Sequence, residues 1–214
     1  MTVNTLYTAA ISPNGKRVRI CAGELGAVVQ PKFIDFQRGE ARTPDYLALN
    51  PMGKVPTLVD DGFVLWESCA ILCLMAQTHP KGDTLLPGEP QAQADTLRWL
   101  FFCSCHLDPY FTTLVVERFI KARRGEPEDE TLSRKAEEWL GRFLPVVNQQ
   151  LDRREFVTGR YSLADIVLGC TIELSSMLRF DLTPYPNVQT WLRRLQERPT
   201  WRGPSPEAFP TAAA

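Results

Sequence analysis

The sequence has no apolar run long enough to cross a bilayer, which takes about 20 consecutive residues as a helix. An excess of charge is missing too: 24 Lys and Arg stand against 25 Asp and Glu, a formal net charge of −1. No basic stripe or tail exists, so nucleic-acid binding lacks its electrostatic footprint. Met1-Thr-Val-Asn-Thr5 offers neither the charged start nor the apolar stretch of a secretory signal, and an unexported chain is expected. Histidine is scarce, with 2 residues. His106 has no second ligand spaced to help it, so no metal is expected. The 6 cysteines follow no framework spacing. Cys69/Cys73 and Cys103/Cys105 fall inside helix-like runs, which fits buried thiols in a reducing compartment better than disulfides or zinc. The expectation is a soluble cytoplasmic protein with neither nucleic acid nor membrane as partner.

What the sequence does contain is a change of pattern near residue 90. Its 214 residues suffice for two domains. Val3 to Thr8 is β-branched and aromatic enough for a strand, broken by Ile11-Ser-Pro-Asn-Gly15. Val18, Cys21, Ala22 and Leu25 share one face of a predicted helix that Gly26 ends. Val28 to Ile34 predicts a second strand and so a right-handed βαβ unit. A short helix is expected near Asp45–Leu49, then a strand over Val55–Val59. Asp61-Gly62 is a two-residue hairpin signal leading to a returning strand, Phe63–Trp66. A helix follows from Ser68, with Ile71, Leu72, Leu74 and Met75 as its apolar face. Residues 79–90 are rich in turn formers and read as a linker. Beyond them every long periodic segment is helical. Gln91–Arg124 is expected to kink or split at Asp108-Pro109, and Leu132–Leu151 forms the next helix, with Pro145 a local irregularity. Ser162-Leu-Ala-Asp165 is a capping box that opens a helix apolar nearly all round. Pro199–Ala214 is expected to be extended.

Two stretches carry candidate chemistry. Val55-Pro56 has two readings. A trans bond would start an edge strand, where the missing N–H costs nothing. A cis bond would turn the Val55 N–H and C=O outward, to pair with an extended peptide-like ligand. Glu67-Ser68 stands where a helix begins. It either caps that helix or serves a ligand, with Ser68 and the helix N-terminus taking a carboxylate and Glu67 an ammonium group.

Asn50-Pro-x-Gly-Lys-Val-Pro56, the hairpin and Glu67-Ser-x-Ala-Ile71 together closely resemble the glutathione-binding half of cytosolic glutathione transferases. Gly159-x-x-Ser-x-Ala-Asp165 resembles a capping motif of that family's helical domain, and is assigned to folding. The resemblance covers nearly the whole chain. It implies a thioredoxin-like α/β domain over residues 1–78, a linker over 79–90 and an all-helical domain over 91–214. It further implies glutathione as co-substrate, a small apolar electrophile as second substrate, and a homodimer.

Site roles follow from the same resemblance. In serine-type members a serine after the first strand donates its hydroxyl to the glutathione sulfur, and that role passes to Ser12. Ser12-Pro-Asn-Gly15 also resembles the loop of the bacterial nu class, in which an asparagine assists at sulfur, so Asn14 competes. Tyr7, inside the strand, fits core packing better than catalysis. The loop has no cysteine, which argues against a mechanism through a mixed disulfide with the protein. Lys54 is placed to bind the glycyl carboxylate, Val55 and Pro56 the main chain, and Glu67 and Ser68 the γ-glutamyl end. Gln37 and Arg38 are further candidates. For the electrophile, the candidates are Ile11, Phe102, His106, Tyr110 and Phe111. Three functions remain open: conjugation, glutathione-dependent disulfide or peroxide reduction, and non-catalytic binding.

Overall fold

The computed structural model describes residues 4–202. Val3 of the expected first strand and residues 203–214 of the expected extended tail lie outside them. The contacts gather into two units, one running to Leu86 and resuming at Arg198, the other Pro87–Glu197.

In the first unit, a four-stranded mixed sheet is built on β1 (Asn4–Thr8), flanked by parallel β2 (Val29–Phe33) and antiparallel β3 (Thr57–Asp60). β4 (Phe63–Trp66) pairs antiparallel with β3, giving the order β2-β1-β3-β4. Leu6 stands opposite Pro31 on one side and Leu58 on the other. β2 is an edge strand, where a proline is tolerated. The hairpin closes through Asp61 and Gly62 with φ of 46° and 84°, the two positive values that the twist of flanking strands favours. β3 starts two residues later than the apolar run suggests, at Thr57. Pro56 has no N–H to give a ladder, and Val55 lies in the preceding bend.

Helix α1 (Pro13–Leu25) takes Pro13 at its first turn and ends on Gly26 in the left-handed region, φ 74°, whose N–H returns to the Ala22 and Gly23 carbonyls. Its apolar face, Val18, Ile20, Cys21 and Leu25, is buried, and it packs along α3 (Ser68–Thr78). Helix α2 (Pro44–Leu49), capped by Thr43, presents Tyr46 to the other side of the sheet, against Ile34 and Ala41. This is a thioredoxin-like domain.

The last described residues correct the expectation for the tail. Arg198 makes a bidentate bond to Glu24 of α1, at 2.9 and 2.8 Å, and the Thr200 hydroxyl donates to the same carboxylate. Trp201 is buried, with the Lys16 ammonium 5.2 Å from its ring centroid. Residues 198–202 therefore belong to the first unit rather than to the helical one.

The second unit is all-helical. From Pro90 to Arg124 the chain runs through α4 (Pro90–Phe102), a π turn, α5 (Asp108–Leu114), a second π turn and α6 (Lys121–Arg124). The break expected at Asp108-Pro109 is absorbed by the π turn at Cys103–Leu107. Asp108 is held there by the Thr171 hydroxyl at 2.6 Å. In α7 (Glu130–Gln150) Pro145 is exposed, so the backbone bond it forfeits lies towards water. No helix among the described residues is long and apolar enough to cross a membrane.

Helix α8 (Leu163–Ile172) is buried at all ten positions. It is followed by α9 (Leu174–Leu178) and α10 (Pro186–Gln196). The capping box forms: Asp165 Oδ2 accepts from the Ser162 N–H at 3.0 Å and from its hydroxyl at 3.1 Å. Oδ1 accepts from the Val157 N–H at 3.0 Å and the Trp191 indole N–H at 2.9 Å. One carboxylate thus joins α8, the loop before it and α10. Burial pushes its pKa from 3.8 up to about 6, with the four donors pulling the other way. The native state therefore keeps this proton to higher pH than the unfolded chain does. The group contributes most stability below its unfolded pKa, and that contribution fades as pH rises through about 6. Urea unfolding should show wild type losing up to about 3 kcal/mol from this group between about pH 4 and 7. Asp165→Asn should flatten that slope and unfold more easily throughout, because an amide cannot accept at both atoms. An unchanged slope would remove Asp165 as its source.

Candidate active site

The loop after β1 ends at Ser12, which caps α1. Its Oγ accepts the Gly15 N–H at 3.1 Å. A backbone N–H only donates, so the Ser12 hydroxyl proton remains for another acceptor. The first turn of α1 holds no acidic residue, and the partial positive charge of the helix end is not offset there. Gly15 is dictated by close approach, since a Cβ at that position would lie 2.1 Å from Oγ1 of buried Thr8. Asn14 follows at the second helical position, half-buried. Tyr7 is directed elsewhere: its ring packs on Tyr46 at 5.6 Å, with Lys32 on it at 5.0 Å.

The N-terminus of α3 is the second element. Glu67 precedes it at φ 76° and ψ 110°, a backbone region that L-residues avoid. Strain of this kind costs about 1–3 kcal/mol and collects at ligand sites. Ser68 is buried, and its Oγ accepts from the Arg17 guanidinium at 3.1 Å. Arg17, reaching across from α1, is only 2% exposed. It is the residue that reading the sequence missed, because the apolar spacing of α1 gives no sign that a cation points inward.

Between the two lies the 50–56 loop. Lys54 O accepts from the Tyr46 hydroxyl at 2.6 Å and the Asn50 amide at 2.8 Å, and Thr57 Oγ1 lies 3.1 Å from both groups. These bonds fix the backbone before Val55-Pro56, whose peptide bond is cis. The Lys54 side chain is exposed. A Cβ on Gly53 would meet an Arg42 guanidinium nitrogen at 2.8 Å, so a second cation, also missed, lies beside this loop. Gln37 and Arg38 are exposed in a turn organised by Asp35, to which Arg38 also pairs at 3.6 Å.

Cysteine chemistry is unfavourable here. Burial pushes the Cys21 thiol up to about 12 and Cys73 to about 11, far from the thiolate form. Among the described residues no group of His, Cys, Asp and Glu could hold a metal ion.

The electrophile candidates separate on inspection. Ile11 is 68% exposed in the first unit. In the helical unit, exposed His106 packs between Phe102 and Phe143 at 5.4 and 5.0 Å, while Tyr110 stacks on Trp139 at 5.7 Å. Phe102 also borders a cavity of about 200 Å³ with Arg98, Trp99, Val146 and Gln150. Phe111 has no exposed surface and packs on Phe180. It is core.

Fold and site together define a class, a thioredoxin-like domain with a serine-capped first helix ahead of an all-helical domain. Residues 2–76 match the description "Glutathione S-transferase, N-terminal domain", and residues 100–199 match "Glutathione S-transferase, C-terminal domain". The chain is 32% identical over 199 residues to glutathione S-transferase D7 of Drosophila melanogaster, covering 92% of this chain and 86% of that one. A glutathione S-transferase structure from Pseudomonas fluorescens superposes with a TM-score of 0.82 at 33% identity, covering 93% and 97%. A structure of glutathione S-transferase-I bound with lactoylglutathione gives 0.84 at 26% identity, covering 94% and 97%. The chain belongs to the glutathione S-transferase family.

The strain at Glu67 has a measurable side. Glu67→Gly should raise the urea midpoint, by a net of about 1 kcal/mol once the extra chain entropy of glycine is counted. A lower midpoint would show the backbone there to be relaxed.

Proposed function

We propose that this protein is a glutathione transferase that binds the glutathione thiol as thiolate beside Ser12 and adds it to, or exchanges it for a leaving group on, a small apolar electrophile. One observation carries the reading: the Ser12 hydroxyl is held as an acceptor at the open end of α1, with its proton left to give. An ordinary thiol has a pKa near 8.5. Lowering it by two units needs about 2.7 kcal/mol of preference for the anion. A hydrogen bond to a charged group supplies roughly 1.5–3 kcal/mol, and a helix N-terminus about 0.3–1. The two suffice without a general base.

In this reading Glu67 and Ser68 hold the γ-glutamyl end, Val55 pairs with the ligand main chain after Pro56, and Lys54, joined by Arg42, receives the glycyl carboxylate. Gln37 and Arg38 stand further out. The apolar substrate has Ile11 in the first unit and Phe102, His106 and Tyr110 in the second as separate candidates. We place the glutathione-binding domain at residues 1–78, the linker at 79–90 and the electrophile-binding domain beyond, with residues 198–202 reassigned to the first. Free cysteines throughout the described residues favour a reducing, cytoplasmic setting.

The second reading, disulfide or peroxide reduction of the nu-class kind, rests on half-buried Asn14 at the second position of α1. The two are separated by one pair of variants. For conjugation, Ser12→Ala should lower turnover of a chlorinated aromatic by about ten- to a hundredfold. It should also shift the ultraviolet thiolate titration of bound glutathione towards the free thiol, while Asn14→Ala has the lesser effect. Loss of disulfide reduction in Asn14→Ala with Ser12→Ala spared would favour the second reading.

We also propose a homodimer assembled through α3 and α4. Exposed Phe63 on β4 and Phe101 on α4, at 57% and 67%, supply apolar surface for it. Sedimentation at micromolar concentration should give twice the 24.2 kDa chain mass, and a monomer would end the proposal.

A further inference from the structure

We infer that Arg17 is a positioning residue for the ligand's α-carboxylate: it fixes the direction of the Ser68 hydroxyl and supplies a buried positive charge behind the α3 N-terminus. The inference rests on the glutathione reading above and names a residue that reading does not use.

Three observations carry it. The guanidinium is a pure donor, so in its 3.1 Å bond Ser68 Oγ can only accept. The Ser68 proton is then directed away from Arg17, to an acceptor supplied from outside the protein core. One of the two lone pairs of Ser68 Oγ is taken by Arg17, and its proton is turned outward to donate. Secondly, Arg17 is 2% exposed and Ser68 6%. The charge therefore acts through protein rather than through water, where screening would erase it. Arginine cannot shed its proton, so the charge is permanent. Thirdly, the first turn of α3 holds no acidic residue. The helix end and the buried cation favour the same sign of ligand charge, and the Glu67 carboxylate before them receives a cation. A carboxylate and an ammonium on one carbon, as in an α-amino acid, match that pair of opposite preferences.

The specificity that follows is for the α-carboxylate at the γ-glutamyl end. Two peptides distinguish it: glutathione, and 4-aminobutyryl-cysteinylglycine, the same tripeptide lacking only that carboxylate. Calorimetric titration of wild type should show glutathione preferred by about ten- to a hundredfold. In Arg17→Gln the preference should fall below about threefold, with the loss in steady-state assays mainly in KM for glutathione rather than in kcat. Arg17→Lys should keep part of it, since the charge remains but the fork geometry does not. A purely structural arginine would weaken both peptides equally and leave their ratio intact, and that result in a folded Arg17→Gln variant overturns the inference. Should Arg17→Gln not fold, the ratio is read in Arg17→Lys and Ser68→Ala, and a wild-type ratio in both is equally fatal. If wild type binds neither peptide, the glutathione reading itself falls. If wild type prefers glutathione and Arg17→Gln does too, only the role of Arg17 falls.

Discussion

Two serine oxygens, each taken as acceptor by a nitrogen that can only donate, are the constraint on which the first unit of this protein depends. Ser12 Oγ is claimed by the Gly15 N–H and Ser68 Oγ by the Arg17 guanidinium. A hydroxyl so engaged keeps its one proton to donate, turned away from that nitrogen. Each serine also stands at the start of a helix without acidic residues in its first turn, where an anion is favoured. The same small device thus occurs twice, once for a sulfur and once for a carboxylate in the function proposed above. Neither copy needs a second titrating group.

The rest of the unit holds these two hydroxyls in place. β1 lies at the centre of the sheet and delivers the Ser12 loop, and the contact of Gly15 with Thr8 brings α1 onto it. Tyr46, Asn50 and Thr57 converge on Lys54 O and fix the stretch that leads to Val55. The backbone at Glu67 is in an unfavourable conformation at the start of α3, the helix on which α1 packs. Stability in this unit is distributed unevenly: the strand ladder and the hairpin contribute it, and the strained backbone of the candidate site draws on it.

Much of this was legible from residue order. The Asp61-Gly62 hairpin, the glycine end of α1 and the Ser162–Asp165 box are local, because each is decided by residues within four positions of one another. The family resemblance added the fold, and it is the source of the roles proposed for Ser12 and Glu67-Ser68. What stayed hidden is long-range or conformational. Trp191 donates to Asp165 from 26 residues away, and Arg17 to Ser68 from 51. Nothing in the periodicity of α1 separates buried Arg17 from half-buried Lys16 and Arg19 beside it. The positive φ of Glu67 was hidden as well, since the residue usually found in that region is glycine. Residues 199–202 pack on α1 rather than extend, because composition describes a segment's stiffness and not what it packs on.

That end has a consequence for how the molecule can be divided. Arg198, Thr200 and Trp201 close on Glu24 and Lys16 of α1, so the helix that bears Ser12 is completed by residues that follow the whole helical unit. A protease cut near residue 87 would leave behind a fragment missing one of its own walls. Sequence order and structural membership disagree in this protein. Among the described residues, the thioredoxin-like domain is built from two stretches of sequence, one before the helical unit and one after it.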